Sequence, residues 1–416
     1  MKKLVLVLTA IVVAGTAAAT QPMTRADGVW ADGIFDRAKA AQEMRQLHQW
    51  LVSEQVAAGI AEPLRVTVTS EELAALEDSQ CESCTQVASS ARRVRIGISK
   101  PLSAVVDFAA LGYGALATTK DRGLVWSAAV ESPGATALRV HFTDVSLPPM
   151  AELFVYSMAG EAFGPYTDLG PLGDGDFWSH AIGGSQVIIQ LRHFGAFDEL
   201  AGARLNIADV GHIGPRFLLA QLQNGSIEKA FCSFNADCVE NASCSQVAVP
   251  DAENAIAHMQ FVDGRWLYYC SGGLLADTVG SQIPYFLTAN HCLSKSRTAS
   301  TLEAYFQFTT NCNGPCYDPV GVVPRTLGAS VLSTNKTGDY TLLELGQPAP
   351  GGSFFLGWNS DPVASNHDYG LYRLSHPGGA PQAYSEHSVD ANTTVICSSW
   401  PRGSWIYSHD TYGATE

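Results

Sequence analysis

Apolar residues between about 30 and 60 recur at helical spacing. Phe35, Met44, Leu47 and Leu51 lie three, four or sums of those apart, among Ala, Glu, Gln and Arg. This predicts an amphipathic helix, which Pro63 stops. From about 95 to 212 the period shortens. Residues 137–142 alternate apolar and polar, and 153–156 and 187–191 are short apolar runs. Turn clusters rich in Pro and Gly separate them at 132–134, 147–149 and 164–167. Short strands punctuated in this way predict a small β-sandwich. Its His141, His180 and His193 lack ligand spacing and read as structural. Residues 205–230 carry few signals and read as a connection. There is no internal repeat and no low-complexity tract.

Composition sharpens this picture. The chain has 416 residues, 46% hydrophobic and 16% charged, which is too long for one ordinary domain and too apolar for disorder. Its net charge of -15, with no block of Lys or Arg, argues against nucleic acid or an anionic membrane as partner. Lys2 and Lys3, the apolar stretch 4–13 and the small residues 17–19 form a secretory signal peptide pattern over residues 1–19. No later segment has ~18 consecutive apolar residues, so no membrane association is expected once the signal is removed. Export permits disulfides, so the 10 cysteines read as bridges. Cys81 and Cys84 form a CxxC. With no second CxxC and no H-x-x-x-H nearby, a local bridge or loop clip reads better than a redox or zinc site.

Chemistry concentrates from residue 230 onward, where most of the cysteines lie. An apolar, β-prone run at 285–287 delivers Thr288, Ala289, Asn290, His291 and Cys292, and Cys270, Ser271 and Gly272 precede it by a short loop. A serine hydroxyl is a weak nucleophile. It needs an imidazole to take its proton, and that imidazole needs a buried carboxylate to hold one tautomer. Asp339 is the best carboxylate, because it sits at the mouth of the strongly β run 340–345. Asp318, Asp361 and Asp368 are rivals in Pro-, Ser- or Asn-rich loops with no strand to fix them.

The segment from Thr288 to Cys292, with Cys270 upstream, resembles the histidine segment of trypsin-like (chymotrypsin-fold) serine proteases. The run from Asp339 to Leu345 resembles their aspartate segment. Cys232, Cys238, Cys312, Cys316, Gly357–Trp358 and the stretch 373–379 narrow the likeness to bacterial secreted proteases of the lysyl endopeptidase group. The resemblance implies a catalytic base at His291 and its carboxylate at Asp339. It also implies a Cys270–Cys292 bridge, Cys238 paired with Cys312 or Cys316, and Cys232 paired near the domain's C-terminus. His376, before Pro377 and two glycines, reads as fixing a loop near the site. No cofactor and no metal are expected, because there is no H-E-x-x-H and no paired CxxC.

The expected fold is mainly β: a chymotrypsin-like double β-barrel, its second barrel incomplete, preceded by a propeptide with an N-terminal helix and a β-sandwich-like domain. The expected domains are a signal peptide at 1–19, a helical propeptide segment at 20–95 and a sandwich-like domain at 96–212. A linker and activation region follows at 213–229, with a junction at Lys229–Ala230, then a protease domain at 230–416. The expected function is a secreted serine endopeptidase precursor acting on proteins and peptides, with its own propeptide as partner and cleavage directed to Lys. No Gly-x-Ser-Gly occurs in the chain. By the family's spacing the serine is expected roughly four or five residues past Glu416. The chain as written is then expected to lack triad-level activity. The alternative is an inactive secreted binding protein on a protease-like fold.

Overall fold

The computed structural model describes residues 25–81, 93, 95–108, 112–214, 240–245, 249–312, 322–392 and 405–413. The signal peptide, Cys84, the Lys229–Ala230 junction, Cys232, Cys238, Cys316, Asp318 and Cys397 lie outside the described residues. The fold is mainly β, as expected.

The expected helix forms at Arg37–Glu54, where the Asp36 side chain accepts a hydrogen bond from Lys39 N and caps the first turn. It buries Leu51 against Phe154, Tyr156 and Ile188. A second long helix, Ser70–Cys81, begins at a reciprocal cap. Thr69 Oγ1 accepts from Glu72 N, and Glu72 Oε2 accepts from Thr69 N.

Two sheets stack behind these helices. One contains Leu124–Glu131, Gln186–His193 and Ala151–Tyr156 as its central strands. The other begins with Ala137–Ser146, Arg204–Ile213 and Arg95–Val105. Trp126, Leu153 and Ile189 from the first meet Leu138, Phe142 and Ile207 from the second in one buried core. This is sandwich packing, with one departure from the alternation of 137–142. That alternation leaves Arg139 on the face away from this core, yet Arg139 is fully buried. Its face is covered by the C-terminal half of the chain.

The cover is also a shared sheet. Arg95–Val105 pairs antiparallel with Trp266–Leu275, in the register Ile98 to Trp266, Gly97 to Leu267 and Arg95 to Tyr268. One sheet of 12 strands therefore runs from the sandwich into the C-terminal half. There the strands Ile256–Asp263, Trp266–Leu275, Tyr285–Thr288, Glu303–Phe306, Arg325–Leu327, Ala329–Asn335 and Tyr340–Leu345 form a nearly closed barrel. The ring turns its corner at Gly328, whose φ of +71° favours glycine. Phe261, Leu274, Phe286, Phe306 and Leu343 fill the barrel. A second, four-stranded sheet holds Glu240–Asn241, Ala383–Val389, Gly370–Ser375 and Ser408–Tyr412.

The N-terminal segment is lashed to the barrel as well. Val29–Trp30 pairs with Phe354–Phe355, and Arg25–Ala26 with Trp358–Asn359.

In the sandwich, His141 lies between two carboxylates. Nδ1 is 2.8 Å from Asp209 and Nε2 is 2.8 Å from Asp176, with the ring stacked on Trp178. Burial opposes its charge, but Asp176 and Asp209 override that and raise its pKa to about 9. The protonated ring thus stabilises the fold. Its contribution is complete below the ordinary histidine pKa of about 6.5 and is lost as pH rises through about 9. Urea midpoints measured from pH 6 to 10 should fall across that window, and His141→Gln should flatten the fall.

Candidate active site

The strand Tyr285–Thr288 delivers His291. Thr288 Oγ1 donates to Ser271 O at 2.8 Å on the neighbouring strand. The chain then turns, with Cys292 N and Leu293 N both donating to Ala289 O. Cys292 is bonded to Cys270 on that same strand, the expected bridge. The turn and the bridge together fix the backbone on both sides of the imidazole.

Asp339 arrives from the turn between Ala329–Asn335 and Tyr340–Leu345. It adopts a left-handed backbone with φ +48°, which Asp tolerates better than most residues. Its Oδ2 lies 2.7 Å from His291 Nδ1, and its Oδ1 accepts from His291 N at 2.9 Å. One carboxylate therefore holds both the ring and the backbone of the histidine. Asn290 adds a third tie, donating from Nδ2 to Thr334 Oγ1 at 2.8 Å. The Asp339 side chain is 16% exposed and that of His291 34%. With Nδ1–H given to the carboxylate, Nε2 carries the lone pair, and it lies 3.5 Å from Cys292 Sγ.

Two of the rivals, Asp361 and Asp368, do not reach this ring. Asp361 N donates to Asn359 Oδ1 within its own loop, and Asp368 neighbours His367. His376 is fully buried; its Nδ1–H donates to Ala380 O, and its ring stacks on Phe308. Burial pulls its pKa down to about 4, so it is a neutral structural ring. Its backbone N donates to Ser271 Oγ, which ties its loop to the strand holding Cys270.

Cys270, His291 and Cys292 place three ligand-type atoms within 4.8 Å of one another. Both sulfurs are committed to the disulfide, so no thiolate is left for a metal.

Of the two partners the resemblance implies for Cys238, Cys312 is taken, because it bonds Cys244. Cys238 and Cys316 lie outside the described residues. The Asn241 side chain donates to Asn311 O, and the short turn of helix Ala242–Cys244 then carries Cys244 onto the 310–312 segment.

A second Ser–His–Asp chain was not foreseen. Ser385 Oγ lies 2.9 Å from His387 Nε2, and His387 Nδ1 lies 2.8 Å from Asp410. Period-two spacing of Ser385 and His387 on one strand was its only sequence signal. Its exposure runs opposite to catalytic need. Ser385 is 1% exposed, while the Asp410 side chain is 61% exposed. It joins Ser408–Tyr412 to Ala383–Val389 and offers no accessible nucleophile.

A barrel strand that presents a histidine to a half-buried carboxylate is an arrangement suited to general-base chemistry. Residues 228–416 match the family described as lysyl endopeptidase, C-terminal domain. A lysyl endopeptidase of Pseudomonas aeruginosa is 29% identical over 240 residues, which cover 54% of this chain and 50% of that protein. The chain thus spans about half the length of that relative. Among solved structures, the inactive form of the Rv3671c protease aligns over 39% of this chain and 64% of its own, at 13% identity and a TM-score of 0.23.

Proposed function

We propose that this chain is part of the precursor of a secreted serine endopeptidase with a Ser–His–Asp mechanism. The observation that carries the reading is the two-point grip of Asp339 on His291. In this reading residues 1–19 are a signal peptide, 20–95 and 96–212 form the propeptide, 213–229 carry the activation region, and 230–416 belong to a chymotrypsin-like protease domain. The nucleophile lies in a Gly-rich segment following Glu416.

Catalysis then proceeds in two halves. His291 Nε2 takes the proton of the serine hydroxyl as its oxygen attacks the scissile carbonyl. The imidazolium that forms is stabilised by Asp339 and returns the proton to the departing amine. Water repeats the sequence on the acyl-enzyme. Cleavage after Lys is supported by the likeness to lysyl endopeptidases, and self-cleavage at Lys229–Ala230 would follow from it. Secretion is supported by the signal pattern and the disulfides Cys244–Cys312 and Cys270–Cys292.

Sequencing the coding DNA past the codon for Glu416 tests the reading. A serine in a Gly-x-Ser-Gly loop within the next dozen or so codons is expected. An intact loop with the serine replaced would favour the inactive binding protein. Edman sequencing of the mature secreted product should begin at Ala230; a start elsewhere would refute self-cleavage at that junction.

A further inference from the structure

A side chain of the N-terminal half reaches the backbone beside the site's disulfide. The Arg93 guanidinium lies over the Tyr268 ring at 4.2 Å, pairs with Asp263 at 2.7 Å and donates to Cys292 O at 3.4 Å. Tyr268 stands two residues before Cys270, on the same strand and the same face. Arg93 therefore contacts both segments that carry the Cys270–Cys292 bridge.

The contact is anchored from both sides. Upstream of Cys270, the register sets Arg95 against Tyr268 and Gly97 against Leu267. Ser99 N donates to Arg265 O at 2.8 Å, and the Arg95 guanidinium covers the Trp266 ring at 4.4 Å. Glu72 clamps the same end by pairing with both Lys100 and Arg265. Downstream of Cys292, Asp263 carries the grip onward. Its Oδ1 reaches Lys295 Nζ at 3.4 Å and Thr298 Oγ1 at 3.3 Å. Burial pushes the Asp263 carboxyl up, and Arg93 and Lys295 outweigh it and hold it below its ordinary value. Arg93 and Asp263 are thus a charged pair at low exposure, where such a pair restrains its segments more than a surface pair does.

We propose that Arg93, from the N-terminal half, templates formation of the Cys270–Cys292 disulfide by holding the two cysteine-bearing segments together before the bond forms. With 10 cysteines in the chain, many pairings compete. Pinning both segments raises the effective concentration of one cysteine at the other. The chemistry is thiol–disulfide exchange. The thiolate of one cysteine attacks an external low-molecular-weight disulfide, forming a mixed disulfide and expelling one small thiolate. The thiolate of the other cysteine then attacks the protein sulfur and expels the second. Two protein thiols are oxidised, one external disulfide is reduced to two thiols, and the two protein protons end on the expelled thiolates. Once the bond exists, Arg93 has no further role in holding it. The inference deepens the propeptide reading, and its readout involves no peptidase activity.

The test refolds the reduced 416-residue chain in a glutathione redox buffer. Samples are alkylated at intervals, and the disulfides are mapped by peptide mass spectrometry. Arg93→Ala is expected to slow Cys270–Cys292 pairing about fivefold, the scale of one partly exposed ion pair. Asp263→Asn should do the same, and the double variant should be no slower than either. Cys244–Cys312 pairing should keep its wild-type rate and so report on general folding. Wild-type Cys270–Cys292 pairing in Arg93→Ala, or equal slowing of both bridges, would overturn the proposal.

Discussion

On the proposed Ser–His–Asp mechanism, Asp339→Asn in the proposed protease is expected to lower kcat/KM for a peptide substrate by about 10^4. The reason lies in the two-point grip. The backbone N of His291 is always a donor, so the oxygen of the new amide must stay on it, where Asp339 Oδ1 now accepts at 2.9 Å. The amide NH2 then faces His291 Nδ1 in place of Oδ2. Two donors cannot share that line, so Nδ1 must become the acceptor and the ring proton must move to Nε2. The base has then lost the lone pair that accepts the serine proton. The forming imidazolium also loses its counter-charge. The side chain is only partly buried, so the thermal midpoint should scarcely move. Steady-state kinetics with a fluorogenic Lys peptide, alongside thermal unfolding, separate the two effects. A variant that keeps more than a tenth of wild-type activity would remove Asp339 from the mechanism.

Glu303→Gln should produce the largest loss of stability. Glu303 is fully buried between the sandwich and the barrel. Arg139 approaches it at 3.5 Å from the sandwich and Arg325 at 3.1 Å from the barrel, while Ala181 N donates to its carboxylate. Arg325 also reaches back to Glu161 in the sandwich at 3.8 Å and lies between the Phe163 and Tyr305 rings. Removing the central charge leaves the buried Arg139 guanidinium on the carbonyls of Ser179 and Thr301 in place of a carboxylate, and Arg325 facing Glu161. Stranding buried charge in this way costs about 3–5 kcal/mol. The loss should appear as a lower urea midpoint, and Arg325→Met in the same chain should recover part of it, because it removes one stranded charge. A loss below about 1 kcal/mol would mean that water reaches the cluster. The network also predicts acid lability. Burial pushes the Glu303 carboxyl up, but Arg139 and Arg325 outweigh it and hold the pKa below its ordinary value. Its stabilisation is present above the unfolded carboxyl pKa of about 4.3 and is lost as pH falls through the lower folded value.

What was legible in the sequence was local. The spacing from Phe35 to Leu51 located a helix, and the structure starts it at Arg37 because Asp36 supplies the cap. Residues 29–30 did not join that helix, because Phe354–Phe355 recruits them as a strand. The helix Ser70–Cys81 carries its signal in the Thr69–Glu72 pair, which apolar spacing alone misses. His291 and Asp339 were legible because each sits beside a β-run that positions it, and the structure brings the two together. Contacts made only by tertiary pairing were not legible. Nothing near Arg139 announces a buried carboxylate from Glu303. Nothing in 95–105 announces an edge shared with Trp266–Leu275. Nothing in the sequence singled out Cys244 as the partner of Cys312, a pairing that rests on the packing around Asn241.

Labelling the proposed protease with a fluorophosphonate, followed by peptide mapping, would identify its nucleophile. One labelled serine is expected, in the proposed Gly-rich segment after Glu416, with labelling lost in His291→Ala. No labelling at all, labelling unchanged by His291→Ala, or a label on Ser385 of the second Ser–His–Asp chain would contradict the proposed mechanism.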